Sequence, residues 1–148
     1  MLKGIDPLLT PDLLWLLASM GHGDEVALVD ALHPAERIAR RTGYGKLIRL
    51  PGVAMERALR AVLSVMPLDD AVESPVRRME VTGAPGEWPE VQRAVRAEVE
   101  RAAPGTVIGG IKRFDFYEAE AAAFGVVQVG DARPWGCFLL RKGNGGLG

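Results

Sequence analysis

The chain has 148 residues, 48% of them apolar, and its 18 Lys plus Arg against 19 Asp plus Glu leave a formal charge of −1. That is the length of one domain and an ordinary globular composition. It excludes a disordered chain and argues against a nucleic-acid binder, which needs a basic excess to displace counterions from phosphates. The 1 cysteine, Cys137, excludes an internal disulfide framework, and no apolar run reaches the roughly 18–20 residues that span a bilayer.

The elements follow in order. Residues 8–20 read as a helix: Thr10 is its N-cap, Pro11 suits the first position, and Asp12 meets the positive end of the dipole. Leu13, Leu14, Leu16, Leu17 and Met20 form its apolar face, and Gly21 is the expected left-handed stop. The turn Gly21-His22-Gly23-Asp24 leads into a strand at residues 25–30. Pro34 opens a short polar helix with Glu36, Arg37, Arg40 and Arg41, ended by Gly43 and Gly45. A second strand at residues 46–50 meets the turn signal Pro51-Gly52. Over residues 53–66, Met55, Leu59, Val62, Leu63 and Met66 recur at helical spacing until Pro67-Leu68-Asp69-Asp70 breaks the pattern.

A third strand is expected at residues 76–81, then a Pro/Gly-rich loop at 83–89. Residues 90–103 read as a charged helix with Val91, Val95 and Val99 on one stripe. Residues 106–111 are strand-like, 114–124 an Ala-rich helix, and 124–129 and 137–141 two further strands. Strands alternate with helices, which indicates an α/β layered sheet. The last two strands have no helix between them, so a mixed sheet is expected. Residues 1–142 read as a single domain and residues 143–148 as a flexible Gly-rich tail.

Polar function in such folds usually sits in the loops at strand ends. His22 with Asp24, flanked by glycines, offers an imidazole that exchanges protons near neutral pH. The alternative is a surface turn. Asp30 and Asp69 each follow an apolar segment, where a carboxylate either caps the next turn or binds hydroxyl groups. Arg113 and Tyr117, in Arg113-Phe114-Asp115-Phe116-Tyr117-Glu118, need polar partners if buried. His22, Asp24, Asp30 and His33 lie close in sequence but match no zinc spacing, so no metal is expected. Dinucleotide, P-loop and nucleophile-elbow motifs do not occur. Cys137 follows Trp135-Gly136 into a strand and reads as a buried thiol.

Together these clusters resemble the RbsD/FucU family of sugar mutarotases and pyranases, and within it the L-fucose mutarotase branch. The resemblance is carried by Leu8-Leu9-Thr10-Pro11-Asp12, Met20-Gly21-His22-Gly23-Asp24-Glu25, Asp30, Pro34-Ala35 and Ile48-Arg49. It continues through Pro67-Leu68-Asp69, Glu73-Ser74-Pro75, Arg113-Phe114, Phe116-Tyr117-Glu118 and Leu140-Arg141-Lys142-Gly143. It implies a three-layer α/β/α domain on a mixed sheet and interconversion of sugar anomers without a cofactor, with pyranose/furanose exchange in the ribose branch. It places the acid/base on His22, with Asp69 or Tyr117 as counterpart, and puts Asp30, Met79, Arg113, Trp135 and Cys137 against the sugar. Asp24 is expected to support His22 by accepting its other ring N–H.

Two departures stand out. Leu32 and His33 replace the usual Asn or His followed by Phe, and Trp135 replaces a tyrosine. A tryptophan still stacks on a sugar's C–H face but offers a single N–H donor. The resemblance further implies a free monosaccharide as the ligand and a homo-oligomer, either ring or dimer. No basic region followed by a long apolar stretch opens the chain, so a cytoplasmic protein acting on neither membrane nor nucleic acid is expected.

Overall fold

The computed structural model describes residues 2–146; Met1 and the end of the expected tail, residues 147–148, lie outside the described residues. Its elements run α1 (Pro11–Ser19), β1 (Glu25–Val29), α2 (Ala35–Ala39), β2 (Leu47–Leu50), α3 (Met55–Leu63), β3 (Val76–Met79), α4 (Glu90–Ala102), β4 (Ile108–Ile111), α5 (Arg113–Ala121), β5 (Gly125–Val129) and β6 (Phe138–Arg141). Among the described residues no helix is long and apolar enough to cross a membrane.

The strands form one 6-stranded sheet in the order β2-β5-β1-β6-β3-β4. β2, β5 and β1 pair in parallel, as do β3 and β4, while β6 runs antiparallel to both β1 and β3. The sheet is therefore mixed, with its reversed strand in the middle. Central strands covered on both faces must be apolar throughout. Val26–Val29 and Phe138–Leu140 meet that need, and every one of these residues is buried.

Helices α1, α3 and α4 cover one face. Leu13, Leu16, Met55, Leu59, Val62, Val91, Val95 and Val99 pack there against Val26, Leu28, Val127, Phe138 and Leu140. Helices α2 and α5 cover the other, where Ala35, Ala39 and Phe116 meet Ala27, Val29, Met79, Val126 and Leu139. The result is the expected three-layer α/β/α arrangement. Alternate residues of β1 serve opposite layers because side chains alternate along a strand.

Local chemistry sets the ends. Thr10 Oγ1 accepts the Leu13 N–H at 3.3 Å and starts α1, with Pro11 at its first turn. Gly21 is not the left-handed stop. The helix ends one residue sooner, at Ser19, and Met20 is extended while its N–H still reaches Leu16 O. Lys142 Nζ donates to Leu17 O at 2.7 Å and Met20 O at 2.6 Å, so a lysine from the far end of the chain satisfies the carbonyls that a glycine cap would otherwise serve. α3 has no side-chain cap on Ala54; Asp131 Oδ2, 3.0 Å from Met55 N, supplies the missing acceptor.

The third strand is shorter than expected. After Met79 the chain curls into a hairpin-like bridge between Val81 and Ala84. Gly143, the first residue of the expected tail, is buried and its N–H donates to Pro67 O at 2.9 Å, so the ordered chain continues past residue 142.

Gly130 ends β5 under the turn that follows β2. A Cβ there would stand 2.3 Å from Gly52 N, against backbone that cannot rotate away. Gly130→Ala is expected to cost about 1–3 kcal/mol by overpacking, read as a lower urea midpoint at unchanged slope.

Candidate active site

The reversed strand divides the candidate residues between two edges of the sheet. Glu25 of β1 pairs with Arg141 at the end of β6, and Leu28 pairs with Phe138 at its start. His22 and Asp69 therefore join Arg141 at the edge where β1 begins. Asp30, Trp135 and Cys137 gather at the carboxyl edge of the parallel strands, the usual place for a ligand in α/β sheets. The five residues of β1, at about 3.3 Å each, keep these edges roughly 15 Å apart.

At the first edge His22 Nε2 lies 3.1 Å from Asp69 Oδ1, and the imidazole side chain is 48% exposed while the carboxylate beneath it is 2% exposed. Asp69 Oδ2 accepts Arg141 Nε at 2.9 Å, and Oδ1 also accepts the Ala71 N–H at 3.0 Å. The Arg141 bond, then the Ala71 N–H, then His22 hold the Asp69 carboxyl down to about 2. It is thus a permanent anion at neutral pH, seated so that one ring nitrogen of His22 is fixed while the ring stays in solvent. The expected support from Asp24 is not found: its Oδ2 accepts the Gly21 N–H at 2.7 Å and closes the turn instead. Gly23, at φ +92, takes the left-handed step of that turn, and a Cβ there would approach Arg141 Nη2 to 3.2 Å.

At the second edge a pocket of about 200 Å³ is lined by Asp30, Met79, Arg113, Tyr117, Trp135 and Cys137, together with Leu32, His33, Pro34 and Pro134. Every residue expected against the sugar is here. Tyr117, offered as a counterpart to His22, is here too, and the length of β1 separates it from His22 of the same chain. Asp30 is buried; its Oδ1 accepts the Leu32 N–H at 2.9 Å and its Oδ2 the Gly136 N–H at 2.9 Å. The cap and the site are the same carboxylate. Arg113 Nε donates to the Tyr117 hydroxyl oxygen at 2.8 Å, which leaves the phenol proton free for another acceptor.

Trp135 has φ +66, a left-handed backbone that a bulky side chain adopts at a cost of about 1–3 kcal/mol. Its neighbours over-determine it. Gln92 Nε2 donates to Trp135 O at 3.0 Å and to Met79 O at 2.7 Å, and Asp30 holds the next N–H. Arg78 Nη1 in turn donates to Gln92 Oε1 at 3.1 Å. A fully buried amide thus ties the β3 end, the 134–137 loop and α4 into one frame.

Sequence reasoning did not single out Gln92, Glu120 or Arg141 for a role. Glu120 carried a signal: it falls four residues after Phe116, on the same helical face, in an otherwise alanine-rich stretch. Gln92 adjoins the Val91 stripe, and nothing in the pattern marks it as buried. Among the described residues no group of three or more His, Cys, Asp or Glu is placed to hold a metal ion.

A three-layer domain with a polar pocket at the carboxyl edge of its sheet has the form of a small-ligand α/β protein. The chain belongs to the RbsD/FucU family: the model of the RbsD / FucU transport protein family matches residues 3–144. It is 40% identical to human fucose mutarotase over 150 aligned residues, covering 96% of this chain and 93% of that one. Among solved structures, the fucose mutarotase from Streptococcus pneumoniae in complex with L-fucose aligns with a TM-score of 0.85 at 36% identity, covering 97% and 99% of the two chains. FucU from Bifidobacterium longum aligns with a TM-score of 0.87 at 30% identity, covering 95% and 98%.

The two oxygens of Asp30 each serve a different backbone N–H, and an amide has one oxygen. Asp30→Asn is therefore expected to strand either Leu32 or Gly136 N–H, at a cost of about 1–3 kcal/mol. Urea unfolding reads the loss, and faster amide exchange at Gly136 or Leu32 identifies the stranded group.

Proposed function

We propose that this chain is a sugar mutarotase that interconverts the α and β anomers of L-fucose or a related free monosaccharide. The observation that carries the reading is the convergence of Asp30, Arg113, Tyr117 and Trp135 on one pocket, in a chain that matches fucose mutarotases along nearly its whole length. The pocket supplies what a neutral polyol needs: a carboxylate and a phenol for hydroxyl groups, an arginine, and an indole for a C–H face.

The reaction opens a cyclic hemiacetal. One group gives a proton to the ring oxygen while another removes one from the anomeric hydroxyl, the C1–O bond breaks, and the aldehyde turns before the ring recloses on its other face. One acid and one base suffice, and proton transfer of this kind is worth about 10²–10⁴ in rate. Tyr117, with its hydroxyl oxygen already bonded to Arg113, is a group inside the pocket that can give and recover a proton. His22 is the second group, oriented by the Asp69 anion. Because β1 separates His22 from the pocket of its own chain, the reading requires a homo-oligomer, ring or dimer, in which His22 of one subunit reaches the pocket of the next. The buried, unpaired thiol of Cys137 suits a reducing compartment, and we place the protein in the cytoplasm.

Saturation-transfer NMR on equilibrated L-fucose is expected to show faster anomer exchange with catalytic amounts of protein. No acceleration with fucose, ribose or related sugars would sink the proposal. His22→Ala is expected to lower the exchange rate by about 10²-fold or more. The separation of His22 from the pocket also favours a second reading, a sugar-binding protein without catalysis, in which His22→Ala leaves binding unchanged and the parent shows no exchange. The ribose-type pyranase shares the ring opening and is told apart by a panel of sugars in the same assay.

Shared sites have a further signature. Mixing and reassociating His22→Ala with Tyr117→Phe protein is expected to restore part of the activity, since some interfaces then pair an intact His22 with an intact Tyr117. Absence of any recovery, together with a monomeric mass by light scattering, would count against sites built from two chains.

A further inference from the structure

From the pocket wall into the core runs a chain of buried polar groups whose inner members, His33 and Glu120, the proposed chemistry does not use. His33 Nε2 and Glu120 Oε1 are 2.6 Å apart, with side chains 3% and 0% exposed. The other ring nitrogen, Nδ1, lies 3.4 Å from Cys137 Sγ, and that sulfur lies 3.7 Å from Asp30 Oδ2. Glu120, His33, Cys137 and Asp30 therefore stand in a row from the core to the pocket wall.

The ring is gripped edge-on by Phe116 and Tyr117, with centroids 6.0 Å and 5.3 Å away. Gln128 Nε2 donates to the His33 carbonyl at 3.2 Å, so the backbone is held as well. The titratable and charged groups facing this row are Tyr117 from α5, with Arg113 bonded to it, Asp30 from the end of β1, and Cys137 from the start of β6.

The thiol has one hydrogen to give, and the imidazole decides where it goes. When His33 carries a proton on Nε2 alone, donated to ionised Glu120, Nδ1 is a lone pair and the Cys137 S–H donates to it. Asp30 Oδ2 then holds just the Gly136 N–H and keeps a lone pair for a ligand hydroxyl. When the His33–Glu120 pair takes up one more proton, it is held on Nδ1 with Nε2–H still on Glu120, or shared as neutral Glu120 with Nδ1–H. In either case Nδ1–H donates to Sγ, and the S–H turns to Asp30 Oδ2. That oxygen then accepts two donors and is a poorer partner for a third. Burial keeps the thiol protonated by pushing it well above its usual range, so the hydrogen is there to be directed. Burial also raises the Glu120 carboxyl, against the opposing bond from His33.

We propose that His33, held by Glu120, is a positioning residue of the sugar site: it directs the thiol hydrogen of Cys137 and so sets how much of Asp30 is free to receive the sugar. The inference rests on the reading that the pocket holds a sugar. Its sign is fixed: proton uptake by the pair weakens sugar binding, so KM rises as pH falls through that ionisation while kcat follows its own course.

Ring-¹⁵N NMR of the full chain without sugar tests the relay by itself. The His33 signals are expected to show Nε2–H with bare Nδ1 at high pH, to change as the pair takes up a proton, and to shift at Nδ1 in Cys137→Ala. Nδ1 signals indifferent to Cys137→Ala would overturn the proposal whether or not the protein turns over fucose. The double variant His33→Phe with Glu120→Ala removes the pair without leaving a buried charge, and its fold is checked by circular dichroism and urea unfolding. Its KM for L-fucose is expected to rise two- to tenfold, the worth of one neutral hydrogen bond at about 0.5–1.5 kcal/mol, with kcat within about twofold. The pH step in KM should vanish. Adding Cys137→Ala to the double variant should return KM toward the parent's, because no thiol hydrogen is then left on Asp30, whereas Cys137→Ala in the parent should change KM little above the ionisation. A double variant with the parent's KM and pH step, or strictly additive effects, would refute the relay. Absence of exchange in the parent would instead count against the mutarotase reading, and the ring spectra would still decide the relay.

Discussion

Everything about this molecule's chemistry follows from the insertion of β6, reversed, between β1 and β3. A strand that runs backwards delivers its two ends to edges opposite those that a parallel strand would reach. Its start brings Trp135 and Cys137 beside Asp30, and its end brings Arg141 to Asp69 and Lys142 to the carbonyls of α1. With β6 placed, residues far apart in sequence are paired by register, since each β1 partner is fixed by one slip-sensitive ladder.

The two edges treat their carboxylates in opposite ways. Asp69 accepts from the Arg141 guanidinium, the Ala71 N–H and a ring nitrogen of His22, so it is locked as an anion and serves as a fixed counter-charge. Asp30 is bonded to uncharged donors, a backbone N–H on each oxygen and a weak thiol beside one of them. Such an acceptor stays adjustable. The pocket also carries a single frame, because Gln92 joins the carbonyls of Met79 and Trp135 while its oxygen accepts from Arg78.

Much of this was legible in the chain. Helical spacing in residues 53–66 and the Val91-Val95-Val99 stripe located α3 and α4, because helices facing a sheet must repeat their apolar residues. The alternation of strands and helices, broken once near the end, predicted the mixed sheet. What escaped was long-range. The C-terminus of α1 depends on Lys142, 122 residues beyond Met20, and no local glycine rule can see that donor. His22 and Asp30 are close in sequence, yet a strand between them makes them remote. Glu120 was visible as a charge on an apolar helical face, but its partner His33 is separated from it by 87 positions.

Trp135 sits in a backbone region that most side chains avoid, fastened by bonds to its carbonyl and to the following N–H. The conformational cost of that loop is therefore met when the protein folds, not when a ligand arrives. A backbone fixed in this way presents the indole to the pocket without a rearrangement of that loop, and an ordered loop has less entropy left to lose. The left-handed turn at one residue thus places its conformational cost in the folding of the chain rather than in any later step.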